Sequence, residues 1–392
     1  MGIDPRIKAM HADLTAIRRD LHTHPELCFE EFRTSSLVAE ELKRLGADVT
    51  TGIAGTGVIG TFRNGTGNRA IAIRADMDAL PITETTGLPY ASKTRGKMHA
   101  CGHDGHTTMA LGLARILSEA RNFNGTVHLV FQPAEEDISG AKRMIEEGLF
   151  ERFPVDAVYG LHNLPGVPAG QVMVRPGAIT AAIEIYDVQI KGIAGHGALP
   201  HQTADPIVAA SAIVMALQTI VARNNDALDP AVITVGAIHG GVLATAIPET
   251  VDLKIGVRTT SVASQKLLAR RIPDLINDQA KSFGCTANVR VEDAVIYPVG
   301  INDAEQAALV RQVAISMGQS ASETDLRGPI MFSEDFAFML QKSPGCFFGI
   351  GNGSSKALHD PGYDFNDEVL LKGVAFWAEL VAQALPVEKH VT

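Results

Sequence analysis

The stretch Ala70-Ile71-Ala72-Ile73-Arg74-Ala75-Asp76-Met77-Asp78 decides how this chain is read. A short, mostly apolar run ends abruptly in two carboxylates one residue apart. A run of that kind fits a strand buried on both faces, as in a parallel sheet covered by helices. Its polar tail then lies at the strand's carboxyl end, where open α/β sheets collect their ligands. The same pattern recurs outward along the chain. Val58–Phe62, Thr126–Phe131, Asp156–Leu161 and Cys346–Ile350 read as further strands, and residues 106–120, 139–149, 303–317 and 366–385 as helices. Two helices open the chain, where Ile7, Met10, Leu14, Ile17 and Leu21, then Leu37, Val38, Leu42 and Leu45, recur at three-and-four spacing. The alternation predicts an α/β domain with a mostly parallel sheet.

Between about 181 and 295 the rhythm changes. A strand over Ile183–Ile190, a helix over 205–223, strands over Ala231–Ile238 and Thr250–Arg258, a helix over 261–283 and a strand over Thr286–Val291 succeed one another. That is the β-α-β-β-α-β order of a ferredoxin-like unit. The expected organisation is therefore a domain formed by residues 1–180 and 296–392, with an α+β domain inserted at 181–295.

Composition narrows the functional classes. The 392 residues are 46% hydrophobic and 20% charged, which suits a globular chain, and a transmembrane run of about 18 consecutive apolar residues is not expected. The net charge of −10 excludes the basic footprint that broad nucleic-acid binding requires. Cysteines 28, 101, 285 and 346 form no C-x-x-C pair, so neither a disulfide framework nor a redox motif is indicated. With no export signal in the opening residues, the expected location is the cytoplasm.

Each apolar run gives way to polar residues of one chemical kind. Asp76-Met77-Asp78 closes the first quoted strand, Gln132-Pro133-Ala134-Glu135-Glu136 succeeds Thr126–Phe131, His162 succeeds Asp156–Leu161, and a Gly-rich turn with His359 succeeds Cys346–Ile350. Met98-His99-Ala100-Cys101-Gly102-His103-Asp104-Gly105-His106 lies ahead of the helix at 106–120. Each piece alone is weak, because a histidine after a strand is usually structural, paired glutamates are usually solvated and a buried cysteine usually packs as a small hydrophobe. Together, Cys101, His103, Glu136, His162 and His359 bring thiolate, imidazole and carboxylate to one sheet edge. That mixture suits divalent transition metals, whereas magnesium or calcium would take oxygen alone. Two metals can polarise a carbonyl and lower the pKa of a water between them. One carboxylate of the Glu135-Glu136 pair can then stay unligated to move the proton.

In combination these residues resemble a known family. Asp20-Leu21-His22-Thr23-His24-Pro25-Glu26, Arg74–Pro81, His99–Asp104, Phe131–Glu136, Gly195-His196-Gly197-Ala198-Leu199-Pro200-His201 and Ser333-Glu334-Asp335-Phe336 are similar to motifs of the metal-dependent amidohydrolases. These include hippurate hydrolase, N-acyl-L-amino-acid amidohydrolase and plant auxin-conjugate hydrolases, which are relatives of aminoacylase and succinyl-diaminopimelate desuccinylase. The resemblance runs over nearly the whole chain. It implies that Cys101, His103, Glu136, His162 and His359 bind two divalent metals, with Glu135 as general base and acid and Asp78 orienting a ligand. It implies a role for His196 at the substrate carbonyl, in some relatives across a dimer interface, and for Arg258 at the substrate carboxylate. It also implies a homodimer, or a higher homo-oligomer, assembled through the inserted domain. One departure stands out: relatives carry Asn before Val-Ile-Pro where this chain has Thr245-Ala246-Ile247-Pro248.

The implied substrate is an N-acyl amino acid, with a dipeptidase or an N-acyl-diaminopimelate deacylase as the alternative that would share the metals. Thiolate favours zinc, while carboxylate and imidazole admit manganese, cobalt or nickel. Phe332, Phe336, Phe338, Phe347 and Phe348 are candidates for an acyl pocket, with core packing the competing reading. Two rivals come from other classes. Gly55-Thr56-Gly57-Val58-Ile59-Gly60 matches a dinucleotide fingerprint, yet it runs into a β-like segment where that fold needs a helix. A non-catalytic metal-binding protein would have no use for Glu135 beside the ligand set.

Overall fold

The structure is a computed structural model that describes residues 3–136, 140–292 and 296–387. The chain divides into two compact units, Met1–Ile179 with Ile301–Gly328 and Asp335–Thr392, and Thr180–Gly300 with Pro329–Glu334. The segment 329–334, read from sequence as part of the first domain, joins the second unit because the Ala181 N–H donates to the carbonyls of Ile330 and Phe332, both at 3.1 Å.

The first unit is built on a seven-stranded sheet. Its centre is parallel and runs in the order Gly125–Gln132, Ala70–Asp76, Ala157–Pro165, Gly345–Gly353. Antiparallel strands Gly57–Asn64 and Asp48–Ile53 extend one edge, and Val172–Met173 the other. Side chains alternate between the two faces, as the pleat demands. Ile71, Ile73, Ala75, Val127, Leu129 and Phe131 enter a core shared with helices His103–Ala120 and Glu368–Ala384. Ala72, Val130, Val158 and Phe347 face a smaller core with Met144, Leu149, Phe336 and Met339. Burial on both faces explains why these strands read as apolar runs.

Connectivity fixes where a ligand can bind. After Ala70–Asp76 the chain crosses to a neighbour on one side, and the next strand, Ala157–Pro165, is laid on the other. The carboxyl ends at that reversal splay apart and leave a crevice. The dinucleotide reading fails on the same geometry: Asp48–Ile53 and Gly57–Asn64 form a tight antiparallel hairpin, and a Cβ on Gly57 would lie 2.4 Å from the Ile53 carbonyl. Gly55 closes that turn at φ +86°, while Gly57 and Gly60 are residues of the strand itself.

The second unit carries four antiparallel strands in the order Ala231–Gly240, Thr250–Thr259, Ala182–Lys191, Thr286–Val291. With helices Pro206–Arg223 and Val262–Ser282 this is the ferredoxin-like arrangement. Val251, Leu253, Ile255 and Val257 pack against Ala209, Ile213 and Leu217 of one helix and Leu268, Ile272 and Ile276 of the other. Helix Pro206–Arg223 is long and apolar enough to cross a membrane by length and composition, although Ser211, Gln218 and Thr219 keep it from being an unbroken apolar run. Here its Ala209, Ile213, Leu217 and Ile220 side chains are buried in the core of this unit.

Candidate active site

The crevice at the strand reversal gathers polar groups from five segments of the first unit. Asp78 lies just past Ala70–Asp76, Glu135 and Glu136 past Gly125–Gln132, and His359 past Gly345–Gly353. Cys101 and His103 lead into helix His103–Ala120, which starts three residues earlier than its apolar pattern suggested. His162 does not lie beyond its strand. Pairing with Gly345–Gly353 carries Ala157–Pro165 onward, and His162 sits within it opposite Gly349.

These segments bring the predicted ligand atoms together. Potential ligand atoms of Cys101, His103 and His162 lie within 4.8 Å of one another, as do those of Cys101, Glu136 and His359, and those of His103, Glu135 and Glu136. Cys101 Sγ is 3.3 Å from His162 Nε2, and Glu136 Oε1 is 3.8 Å from His103 Nε2 and 3.4 Å from His359 Nε2.

Hydrogen bonds set the tautomers. His103 Nδ1 faces the Asp78 carbonyl at 2.9 Å and Asp78 Oδ1 at 3.2 Å, both acceptors, so Nδ1 carries a proton and Nε2 is the nitrogen left for a metal. His162 Nδ1 likewise donates to the Asn163 carbonyl at 2.8 Å, leaving Nε2 beside the sulfur. His106 is different. Its Nδ1 meets Asp76 Oδ1 at 2.7 Å and its Nε2 accepts the Asn163 N–H at 3.0 Å, so both nitrogens are committed.

Unusual backbone holds the bearing loops. Gly102, between Cys101 and His103, has φ +95°, and a Cβ there would fall 2.2 Å from Asn163 Nδ2 and 2.7 Å from the Tyr363 hydroxyl. His359 adopts φ +64°, with its N–H donating to the Ala100 carbonyl at 2.8 Å. Ala134 turns at φ +51° ahead of the two glutamates. Two buried carboxylates hold that turn. Glu31 accepts the Ala134 N–H at 2.9 Å and the Thr56 hydroxyl at 2.5 Å. Asp335 accepts Gln132 Nε2 at 2.9 Å, the Ala141 N–H at 2.8 Å and Arg74 Nη2 at 3.0 Å. Burial pushes Glu31 up to about 7 despite the Thr56 hydrogen bond.

The electrostatics ask for a cation. Burial works against a charged His103, yet Asp76, Asp78 and Glu136 together raise it to about 10. Burial and the nearby Glu136 and Glu135 push the Cys101 thiol well up. Negative charge is thus in excess. His103 Nε2 and Glu136 Oε1 are both buried without a hydrogen-bond partner, which is costly for polar atoms removed from water. A divalent ion satisfies both, and the sulfur, nitrogen and oxygen donor set suits a transition metal. The residues present therefore fit the metals expected from the sequence.

His196 and Arg258 lie in the second unit. His196 is exposed on a two-residue strand paired with Ala246–Ile247, and its Nδ1 accepts the Ala198 N–H at 3.0 Å. Thr245 meets this ribbon through its carbonyl, which accepts the Gly197 N–H at 2.8 Å. Arg258 donates to the Met331 carbonyl at 3.1 Å and the Ser333 hydroxyl at 3.0 Å, both uncharged, and burial lowers its pKa. Phe336, Phe347 and Phe348 are core residues, with Phe348 packed on Phe376 and Trp377.

Sequence reasoning gave no role to Asp76, His106, Asn163, Glu31 or Asp335. The three-residue step from His103 to His106 places both on one helix face, a signal that was available for His106. Nothing local marks Asn163 or Glu31.

The chain belongs to peptidase family M20/M25/M40, which it matches over residues 72–383. Among its relatives is the hippurate hydrolase of Campylobacter jejuni, 38% identical over 386 residues that cover 98% of this chain and 100% of that protein. The N-acetyl-L-cysteine deacetylase of Bacillus subtilis is 38% identical over 97% of this chain and 90% of its own length. A crystal structure of a dinuclear metal-binding peptidase of the M20 family from Bacillus subtilis superposes with a TM-score of 0.84 at 32% identity, covering 96% of this chain and 99% of that one.

Proposed function

We propose that this chain hydrolyses the amide bond of N-acyl-L-amino acids to a carboxylic acid and a free amino acid, at two divalent ions held by Cys101, His103, Glu136, His162 and His359. The observation that carries the reading is the meeting of sulfur, imidazole and carboxylate within 4.8 Å, with His103 Nε2 and Glu136 Oε1 left without partners. Relatives that act on hippurate and N-acetyl-L-cysteine support the substrate class. When bound, such ions polarise an amide carbonyl and lower the pKa of water.

The chain's own residues do the rest. Glu135, 7% exposed beside Glu136, takes the proton of the attacking water and delivers it to the leaving nitrogen. Asp78 fixes the His103 ring. Arg258, whose hydrogen bonds go to neutral groups, keeps its charge for the substrate carboxylate. His196 accepts at Nδ1, so its Nε2 carries a proton to offer the substrate carbonyl oxygen.

Softness of the Cys101 thiolate favours zinc, and the remaining donors accommodate manganese, cobalt or nickel. Elemental analysis of the isolated protein decides among them. A homodimer through the second unit is supported by the edge strand Ala231–Gly240, which leaves Val232 and Ile238 exposed, and by Val208 and Met215 on helix Pro206–Arg223. The cytoplasm suits a chain whose four cysteines form no disulfide with one another. The test of substrate class compares benzoyl-glycine, N-acetyl-amino acids and free dipeptides: turnover of dipeptides alone sinks the proposal in favour of a dipeptidase.

A further inference from the structure

We infer that Asn163 is the positioning residue that ties the Cys101, His162 and His359 segments into one frame, an inference that rests on the metal centre proposed above. Asn163 is fully buried in the strand Ala157–Pro165. An asparagine offers two amide donors, an amide acceptor, a backbone N–H and a backbone carbonyl. Every one is used here, and the partners belong to different parts of the site.

The Asn163 carbonyl accepts the Nδ1 proton of His162 at 2.8 Å and so turns Nε2 toward the sulfur. Its Nδ2 donates to the Cys101 carbonyl at 2.6 Å, pinning the residue that carries that sulfur. Its Oδ1 accepts the Tyr363 hydroxyl at 2.7 Å, and Tyr363 stands four residues past His359 in the same loop. Its N–H donates to His106 Nε2 at 3.0 Å, with Nδ2 also 3.2 Å away, which commits His106 to its hydrogen bond with Asp76. Two ligand segments are held directly and the third through one hydroxyl.

The fit admits no slack. Turning the amide over would set Oδ1 against the Cys101 carbonyl, acceptor on acceptor, at 2.6 Å. The Cβ position of Gly102 lies 2.2 Å from Nδ2, so the Cys101 turn can close only with glycine packed on this amide. Partners of this kind typically change metal affinity by about 10- to 100-fold when removed. Tyr363 then matters to the metal only because Asn163 relays its hold.

The test uses the full-length protein loaded with Co(II), whose bond to a thiolate gives a charge-transfer absorption that reports on Cys101 directly. Wild type, Tyr363→Phe, Asn163→Ala and the double variant are titrated with Co(II) against a competing chelator, and the metal-free proteins are melted alongside. We expect each single variant to lose about 10- to 100-fold in Co(II) affinity and to weaken the thiolate band. The double variant should lose no more than Asn163→Ala alone, since the hydroxyl acts through the amide. Wild-type affinity and band in both single variants, or losses that simply add, overturn the inference. Should Asn163→Ala not fold, Tyr363→Phe decides alone, because it removes one oxygen and unchanged affinity there also overturns the relay. A wild-type protein with no thiolate band removes the proposed metal centre and this inference with it, whereas a normal wild-type band with insensitive variants removes this inference alone.

Discussion

Asp78 meets His103 twice, through its own carbonyl at 2.9 Å and its Oδ1 at 3.2 Å, while its other oxygen accepts the Glu136 N–H at 2.9 Å. One buried carboxylate thus orients two of the proposed ligands. Asp78→Ala should weaken metal retention by about 10- to 100-fold, read as metal content after dialysis against graded chelator. Full retention would show that His103 needs no such support.

Glu135 is expected to act on protons and not on metal. Glu135→Gln should keep both ions by elemental analysis and lower kcat by at least about 10²- to 10⁴-fold, the usual range for a lost general acid or base. Loss of metal together with activity would instead make Glu135 a ligand.

The Glu31 carboxylate should matter through the turn that carries the two glutamates. Glu31→Ala leaves the Ala134 N–H without its acceptor, which costs about 1–3 kcal/mol for a buried donor. Glu31→Gln keeps an acceptor for that N–H and a partner for Thr56. A lower melting temperature and lower kcat are expected in the alanine variant, with both largely restored by glutamine. Equal defects in the two would mean that the charge, and not the hydrogen bond, is what counts.

Arg258 should read the substrate's carboxylate. Arg258→Ala is expected to lower kcat/KM by roughly 10- to 100-fold for N-acyl amino acids, the worth of a hydrogen bond to a charged group. N-acyl amino amides, which lack that charge, should be hydrolysed equally by both proteins. An equal loss on both substrates would place Arg258 in a structural role.

His128 sets an acid limit on stability away from the site. Burial, with Arg63 adding, lowers its pKa to about 4. The unfolded chain takes up this proton near the ordinary value of 6.5 and the folded chain only near 4. Stability is therefore complete above the unfolded pKa and is lost as pH falls through that window, by roughly 3 kcal/mol at 1.36 kcal/mol per unit. In urea unfolding at about pH 7.5 and about pH 5, His128→Asn should lose less stability than wild type on acidification. Identical losses would assign the acid sensitivity elsewhere.

Much of this was legible in the sequence because a strand's end is a local feature. Asp78, Glu135, Glu136 and His359 each lie just beyond an apolar run, and the sheet brings such ends together without any pairwise signal having to be read. His162 belongs to the site for a different reason, since pairing with Gly345–Gly353 extends its strand to Pro165 and leaves the histidine inside it. Helix His103–Ala120 starts ahead of its apolar periodicity because its first turn is polar. The supports were not legible: Asn163 meets Tyr363 across 200 positions and Glu31 meets Ala134 across 103. An isolated polar residue carries no mark of a partner so far along the chain. The phenylalanines were ambiguous because an aromatic looks the same whether it packs a core or lines a pocket.

The closeness of Gly102 to Asn163 has a bearing on how this centre can diversify. Position 102 leaves no room for a side chain, given its φ of +95° and a Cβ position 2.2 Å from Asn163 Nδ2. Position 359 is different, for its side chain is 52% exposed and its left-handed backbone is one that asparagine also tolerates. New metal preferences would have to enter through that door.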